Sequence, residues 1–220
     1  MRGLILKDFY NMLKNIGPTL VTTICVGLLL MVQGNPSLFV IGFAVAGGGV
    51  CSTCLRMDET AGWTKFELIA PVSRTTVVVE KYVLLLLLTI TGLIVGGVIS
   101  YVAGTLTGTL DISKFIMYVS VAFSISLISG SLIIFFLFKF GMIKADFFTV
   151  LCYAVPVGIF VAALVVVKKL GLNIMVGSPY MTITYFFPLL ALVVSLLTAV
   201  ATVAAVSYTH LRAHETLRHL

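Results

Sequence analysis

Apolar runs about as long as a bilayer core is thick recur along almost the whole chain, and that recurrence fixes the solvent in which it can fold. Roughly 20 helical residues cross the hydrocarbon core, and runs of about that scale occupy 19–32, 37–55, 76–103, 115–138, 147–167 and 182–206. The expected fold is all-α: a polytopic membrane protein of about six transmembrane helices. Composition excludes the alternative of a soluble domain. Hydrophobic residues make up 60% and charged residues 10%, where soluble domains carry roughly a quarter charged residues. No cleavable signal peptide is evident ahead of the first run, which reads as a retained span.

Several short signals place the helices. Over residues 2–15, Ile5, Phe9, Met12 and Ile16 repeat at helical spacing while Lys7, Asn11 and Lys14 share the other side. That pattern is an interfacial helix or, equally, a polar-faced extension of span one. Gly17-Pro18 separates it from that span. Span two is rich in small residues, among them Gly42, Ala44, Gly47, Gly48, Gly49 and Ser52, which let helices approach closely in lipid. Gly96-Gly97 in span three is a packing point or a kink. Pro156 lies inside span five, where a bend is expected, and Pro188 near the start of span six.

The positive-inside tendency orients the chain. Arg2, Lys7, Lys14, Arg56, Lys65, Arg74, Lys81, Lys139 and Lys144 fall on one side, and only Lys114, Lys168 and Lys169 on the other. Both termini and the segment 57–82 are therefore expected in the cytoplasm, and the chain in the plasma membrane. The net charge of +6 reflects loops beside spans that meet anionic lipid headgroups, and it is no nucleic-acid signal. Cys25, Cys51, Cys54 and Cys152 all lie in apolar runs. The Cys51/Cys54 pair lacks a second pair or a nearby histidine for zinc, so these residues are expected to pack between helices.

Residues 207–220 break the preceding pattern and hold all three histidines, His210, His214 and His219. The stretch VSYTHLRAHET resembles the translation of a common sequencing-adapter read, so 207–220 is expected to be a non-native tail and 1–206 the transmembrane domain.

The longest polar interruption, MDETAGWTKFELIAPVSRTTVVVEKY, spans 57–82 and holds the only Trp. Asp58 or Thr60 can cap a short helix over 58–70, which Pro71 ends by disfavouring helix at the residue before it. Trp63, Phe66 and Ile69 share one face, leaving Thr64, Lys65 and Glu67 away from it. Ser73 is placed to cap span three. Such an aromatic ridge can insert into a groove on a partner, with flanking charges setting orientation, or lie on the bilayer surface.

This segment resembles the signature of ABC-2 type permeases, in particular small six-span bacterial ones. Asp58-Glu59, Trp63, Pro71-Val72-Ser73-Arg74 and Lys81-Tyr82 match its acidic pair, short helix, Pro-Val-Ser-Arg element and span-opening Lys. The opening LILKDFYNMLKN, with Lys7, Phe9 and Lys14, resembles the family's first helix. The resemblance implies a coupling helix between spans two and three. Its contact with an ATP-binding-cassette ATPase subunit would involve Asp58, Glu59, Trp63, Lys65, Phe66, Ile69, Pro71, Ser73 and Arg74. It also implies a second permease copy or a paralogue, and ATP and magnesium held only by the partner subunit.

The chain itself carries no GxxxxGK[ST] loop, and the Gly-rich run at 44–53 lacks the lysine. No paired carboxylates are evident within spans, which argues against a proton-coupled carrier, and no catalytic pattern appears. The expected function is a non-enzymatic permease subunit that exports a small amphipathic or hydrophobic substrate, such as a peptide. The alternatives are a membrane accessory or immunity-type protein without transport activity, and a secondary carrier or channel.

Overall fold

In lipid every backbone polar group must find a partner within the protein, and one continuous helix per crossing is the simplest solution. The computed structural model describes residues 6–13, 17, 20–21, 23–25, 36–62, 73–169 and 179–218. Helix α1 covers 6–13. A 3-10 turn, Pro36–Leu38, leads into α2, Phe39–Thr60. Then follow α3, Arg74–Leu106, α4, Ile112–Phe140, α5, Met142–Lys169, and α6, Pro179–Arg218. No strand occurs among the described residues. Among the described residues four stretches are long and apolar enough to cross a membrane: Pro36–Thr60, Thr75–Leu106, Ile112–Phe140 and Thr184–Val206. These carry the expected spans two, three, four and six. Span five coincides with α5, whose apolar part, Phe147–Ala162, is shorter. Most of span one lies outside the described residues.

α4 is the central helix. It packs against α2, α3, α5 and α6 and buries Val121, Ile125, Leu127, Ile133 and Ile134. Hydroxyls tie it to its neighbours. Ser126 donates to the Ala44 carbonyl of α2 at 2.7 Å and lies 3.0 Å from the Thr89 hydroxyl of α3. Ser120 donates to the Thr184 carbonyl of α6 at 2.5 Å. The outer faces of α3 and α6 expose apolar side chains such as Ile94, Val98, Leu189 and Leu196, as lipid-facing helices do.

Small residues set the α2–α3 contact. Gly47 lies against the Leu88 carbonyl and Gly92 against the Phe43 carbonyl, each too close for a Cβ to be added. A Cβ on Gly96 would stand 2.7 Å from Phe43 Cβ. Gly92 and Gly96 form a Gly-xxx-Gly face on α3, which resolves the Gly96-Gly97 alternatives in favour of close packing. Pro156 and Pro188 lie inside α5 and α6.

Helix ends depart from expectation in three places. α2 runs five residues past its expected end at Leu55 and finishes at Thr60. Asp58 therefore lies inside α2 instead of capping a new helix. The break comes at Ala61-Gly62, where Gly62 adopts φ 68 and its N–H reaches the Glu59 carbonyl at 3.1 Å. The loop expected over 139–146 contracts to Gly141, whose φ of 71 ends α4 one residue before α5 begins. The loop expected over 104–114 shortens because Asp111 caps α4, its Oδ1 accepting from the Ser113 and Lys114 N–H groups at 3.0 and 3.2 Å. Ser73 caps α3 as expected, accepting from Thr76 N at 3.3 Å.

Candidate functional site

Three adjacent charged pairs in the sequence, Lys7-Asp8, Asp58-Glu59 and Glu80-Lys81, sit where α1, the end of α2 and the start of α3 converge. Lys7, Asp58, Lys81 and Asp8 turn toward one another and form a ring of alternating charge. Lys7 Nζ bonds Asp58 Oδ1 at 2.7 Å and approaches Asp8 Oδ1 at 3.2 Å. Lys81 Nζ bonds Asp58 Oδ2 at 2.8 Å and also donates to Asp8 Oδ2. Glu80 adds a third carboxylate 3.5 Å from Lys81 Nζ. Asp8 and Glu80 are fully buried, and the Lys81 side chain is 3% exposed.

The arrangement is consistent with what buried charge requires. An isolated ion in an apolar medium is heavily penalised, so such groups persist only when paired and hydrogen-bonded. Burial alone would raise the Asp8 carboxyl, but the Lys81 and Lys7 ammoniums outweigh it and hold the group below its ordinary value of 3.8. The thiols of the Cys51/Cys54 pair support the same junction. Cys51 donates to the Lys81 carbonyl at 3.7 Å and Cys54 to the Asp8 carbonyl at 3.8 Å. These two and Cys152 are buried, as expected of cysteines packed between helices, whereas Cys25 is exposed. Among the described residues no cluster could hold a metal ion. A cavity of about 210 Å³ adjoins the ring, lined by Asp58, Glu59, Lys81, Val77, Leu137 and Gly141.

Two readings of the sequence change here. Lys7 does not face away from the protein; it reaches Asp58, and α1 turns Asp8 and Met12 inward while Phe9 is 48% exposed. The expected absence of paired carboxylates in the spans also fails, because Asp58 lies in the spanning part of α2 and Glu80 in that of α3, and Lys81 bridges them. Of the residues assigned to the coupling segment, Asp58 and Glu59 belong to α2, and Ser73 and the Arg74 backbone to the start of α3. Trp63, Lys65, Phe66, Ile69 and Pro71 lie outside the described residues, as does Lys14 of the N-terminal helix. Asp8, Glu80 and Lys81 were missed as a group. Their signal was three charged dipeptides, each at the edge of an apolar run and all on the Lys/Arg-rich side.

The ring binds together the two helices that flank the segment 61–73, a geometry suited to carrying mechanical displacement. No curated protein and no solved structure gives a significant match to this chain. A family profile described as ABC-2 family transporter protein matches residues 3–209. That match takes in α1 to α5, α6 as far as residue 209 and each residue of the ring, and the chain belongs to the ABC-2 family of transporter proteins.

Proposed function

We propose that this chain is the permease subunit of an ATP-driven exporter, moved by a separate ATP-binding-cassette ATPase that docks on the segment between α2 and α3. The observation that carries the reading is the family match over residues 3–209 in a chain with no phosphate-binding loop. Energy must then come from outside the chain. ATP and magnesium belong to the partner, and the permease performs no chemistry of its own. Trp63, Phe66 and Ile69 supply the aromatic and aliphatic anchors, and Lys65, Pro71, Ser73 and Arg74 set the angle and polar rim. Asp58 and Glu59 act from the root of the segment. The working unit pairs this chain with a second copy or a paralogue in the plasma membrane, both termini in the cytoplasm.

The substrate is a small amphipathic or hydrophobic molecule, such as a peptide. Apolar grooves support this. One of about 480 Å³ lies between α3 and α6 with Leu86, Leu196 and Val200 in its walls. Another of about 460 Å³ lies between the N-terminal region and the α2–α3 pair.

The test is a pull-down of the tagged chain from gently solubilised native membranes, with ATPase activity measured in the eluate. Trp63→Ala with Phe66→Ala is expected to abolish the co-purifying ATPase while membrane insertion continues. Undiminished co-purification would remove the segment from the docking role. No ATPase with the unaltered chain would favour the accessory or immunity-type alternative.

A further inference from the structure

α1 has little apolar hold on the bundle. Leu6, Phe9, Tyr10 and Leu13 are 48–64% exposed, and Met12 is its one buried apolar side chain among the described residues. Lipid competes with apolar protein contacts on nearly equal terms, so such contacts give little net drive to keep a peripheral helix in place. Charge is different. Separating α1 from α2 and α3 would break both ion pairs that cross between them, Lys7–Asp58 and Asp8–Lys81, and leave the buried Asp8 with Lys7 alone and Lys81 without its α1 carboxylate beside hydrocarbon.

We propose that the Lys7–Asp8–Lys81–Asp58 ring is an electrostatic clamp, with Lys81 as its positioning residue, that makes α1 move as one body with the end of α2 and the start of α3. A displacement of the segment joining α2 to α3 is thereby passed to α1 and into the chain that follows it. The transport reading supplies what drives the displacement; the clamp itself stands on the ring geometry. Lys81 holds the central place because it bridges carboxylates from two other elements, Asp8 of α1 and Asp58 of α2. Lys7 closes the ring from the α1 side.

The test uses the full chain in lipid nanodiscs, with the four native cysteines replaced and spin labels at Tyr10 and Ala61, both exposed. A narrow distance distribution is expected with the ring intact and with Lys81→Arg, which keeps the charge. Lys81→Met is expected to broaden it. Should that single variant fail to fold, the fourfold variant K7Q/D8N/D58N/K81M, made together with Glu80→Gln, removes every charge at the ring and leaves none unpaired. It too is expected to broaden the distribution. A combined variant as narrow as the parent overturns the clamp. So does broadening by Met12→Ala with the ring intact, since apolar packing would then be what holds α1.

A second arm adds the co-purified ATPase and traps it with nucleotide and vanadate, whereupon the Tyr10–Ala61 distance is expected to stay unchanged. A shift there means that the ring opens during the cycle, and the clamp falls while the partner stands. Absence of an ATPase bears on the transport reading alone, because the first arm needs none.

Discussion

Lys81 shows how much one side chain decides in this molecule. Its ammonium is almost sealed from solvent and stands within ion-pair reach of Asp8, Asp58 and Glu80. Removing one partner from a buried charge set typically destabilises by about 3–5 kcal/mol, because the remaining ions lose their compensation. Lys81→Met is expected to lower unfolding stability in mixed micelles by that order, read as a shift in denaturant midpoint. Adding Asp58→Asn should recover part of the loss, since the groups act as a unit and their effects do not add. The pH dependence follows from Asp8. Its carboxyl is held below the ordinary value of 3.8 in the fold, so its contribution is complete above that value and is lost as pH falls through the folded pKa. Its share of the stability should therefore be flat near neutrality and decline only below about pH 4.

The ring was half legible in the sequence. The charged dipeptides are plain, and the Lys/Arg distribution put them on one membrane side. Their pairing was not, because Lys81 meets Asp8 across 73 positions and Lys7 meets Asp58 across 51. Contacts of that separation depend on how three helices rotate against one another, which local pattern does not encode.

Local chemistry fixed some helix ends and misplaced others. Ser73 was recognisable as a cap because its oxygen can reach the N–H three residues on, and it does. Ser73→Ala should cost about 1 kcal/mol, measured by the same unfolding assay. Asp58 looked equally able to cap, yet α2 continues past it. There the carboxylate finds Lys7 and Lys81, and the free φ of Gly62 supplies the stop instead. The α2–α3 interface gives a sharper test at this scale. Gly92 and Gly96 touch α2 directly, whereas the nearest atom to a Cβ on neighbouring Gly97 lies 4.0 Å away. Gly96→Leu is expected to destabilise by about 1–3 kcal/mol through overpacking, and Gly97→Ala to stay within about 0.5 kcal/mol of the parent. Equal effects at the two positions would mean that the Gly-xxx-Gly face does not set the helix separation.

The arrangement of helix ends constrains how the whole molecule sits in the membrane. The ring brings α1 to the C-terminal end of α2, while the 3-10 turn at Pro36–Leu38 opens the opposite end of that helix. The chain over 14–35 therefore connects the two ends of a helix whose 22 residues extend about 33 Å at 1.5 Å per residue. Leu20 and Thr23 line the same groove as Met12, Phe43 and Gly92. Lys7, Lys81 and Lys139 all lie on the ring side, which the positive-inside tendency makes the expected cytoplasmic side. Topology can be read in intact cells from single cysteines in a background lacking the native four. A cysteine at Thr109, between α3 and α4, is expected to react with a membrane-impermeant maleimide added outside. One at Ala61, beside the ring, should react only after the cells are opened. The reverse pattern would invert the molecule and place the segment 61–73 beyond reach of any cytoplasmic ATPase. Labelling at both positions from outside would mean that α3 does not cross.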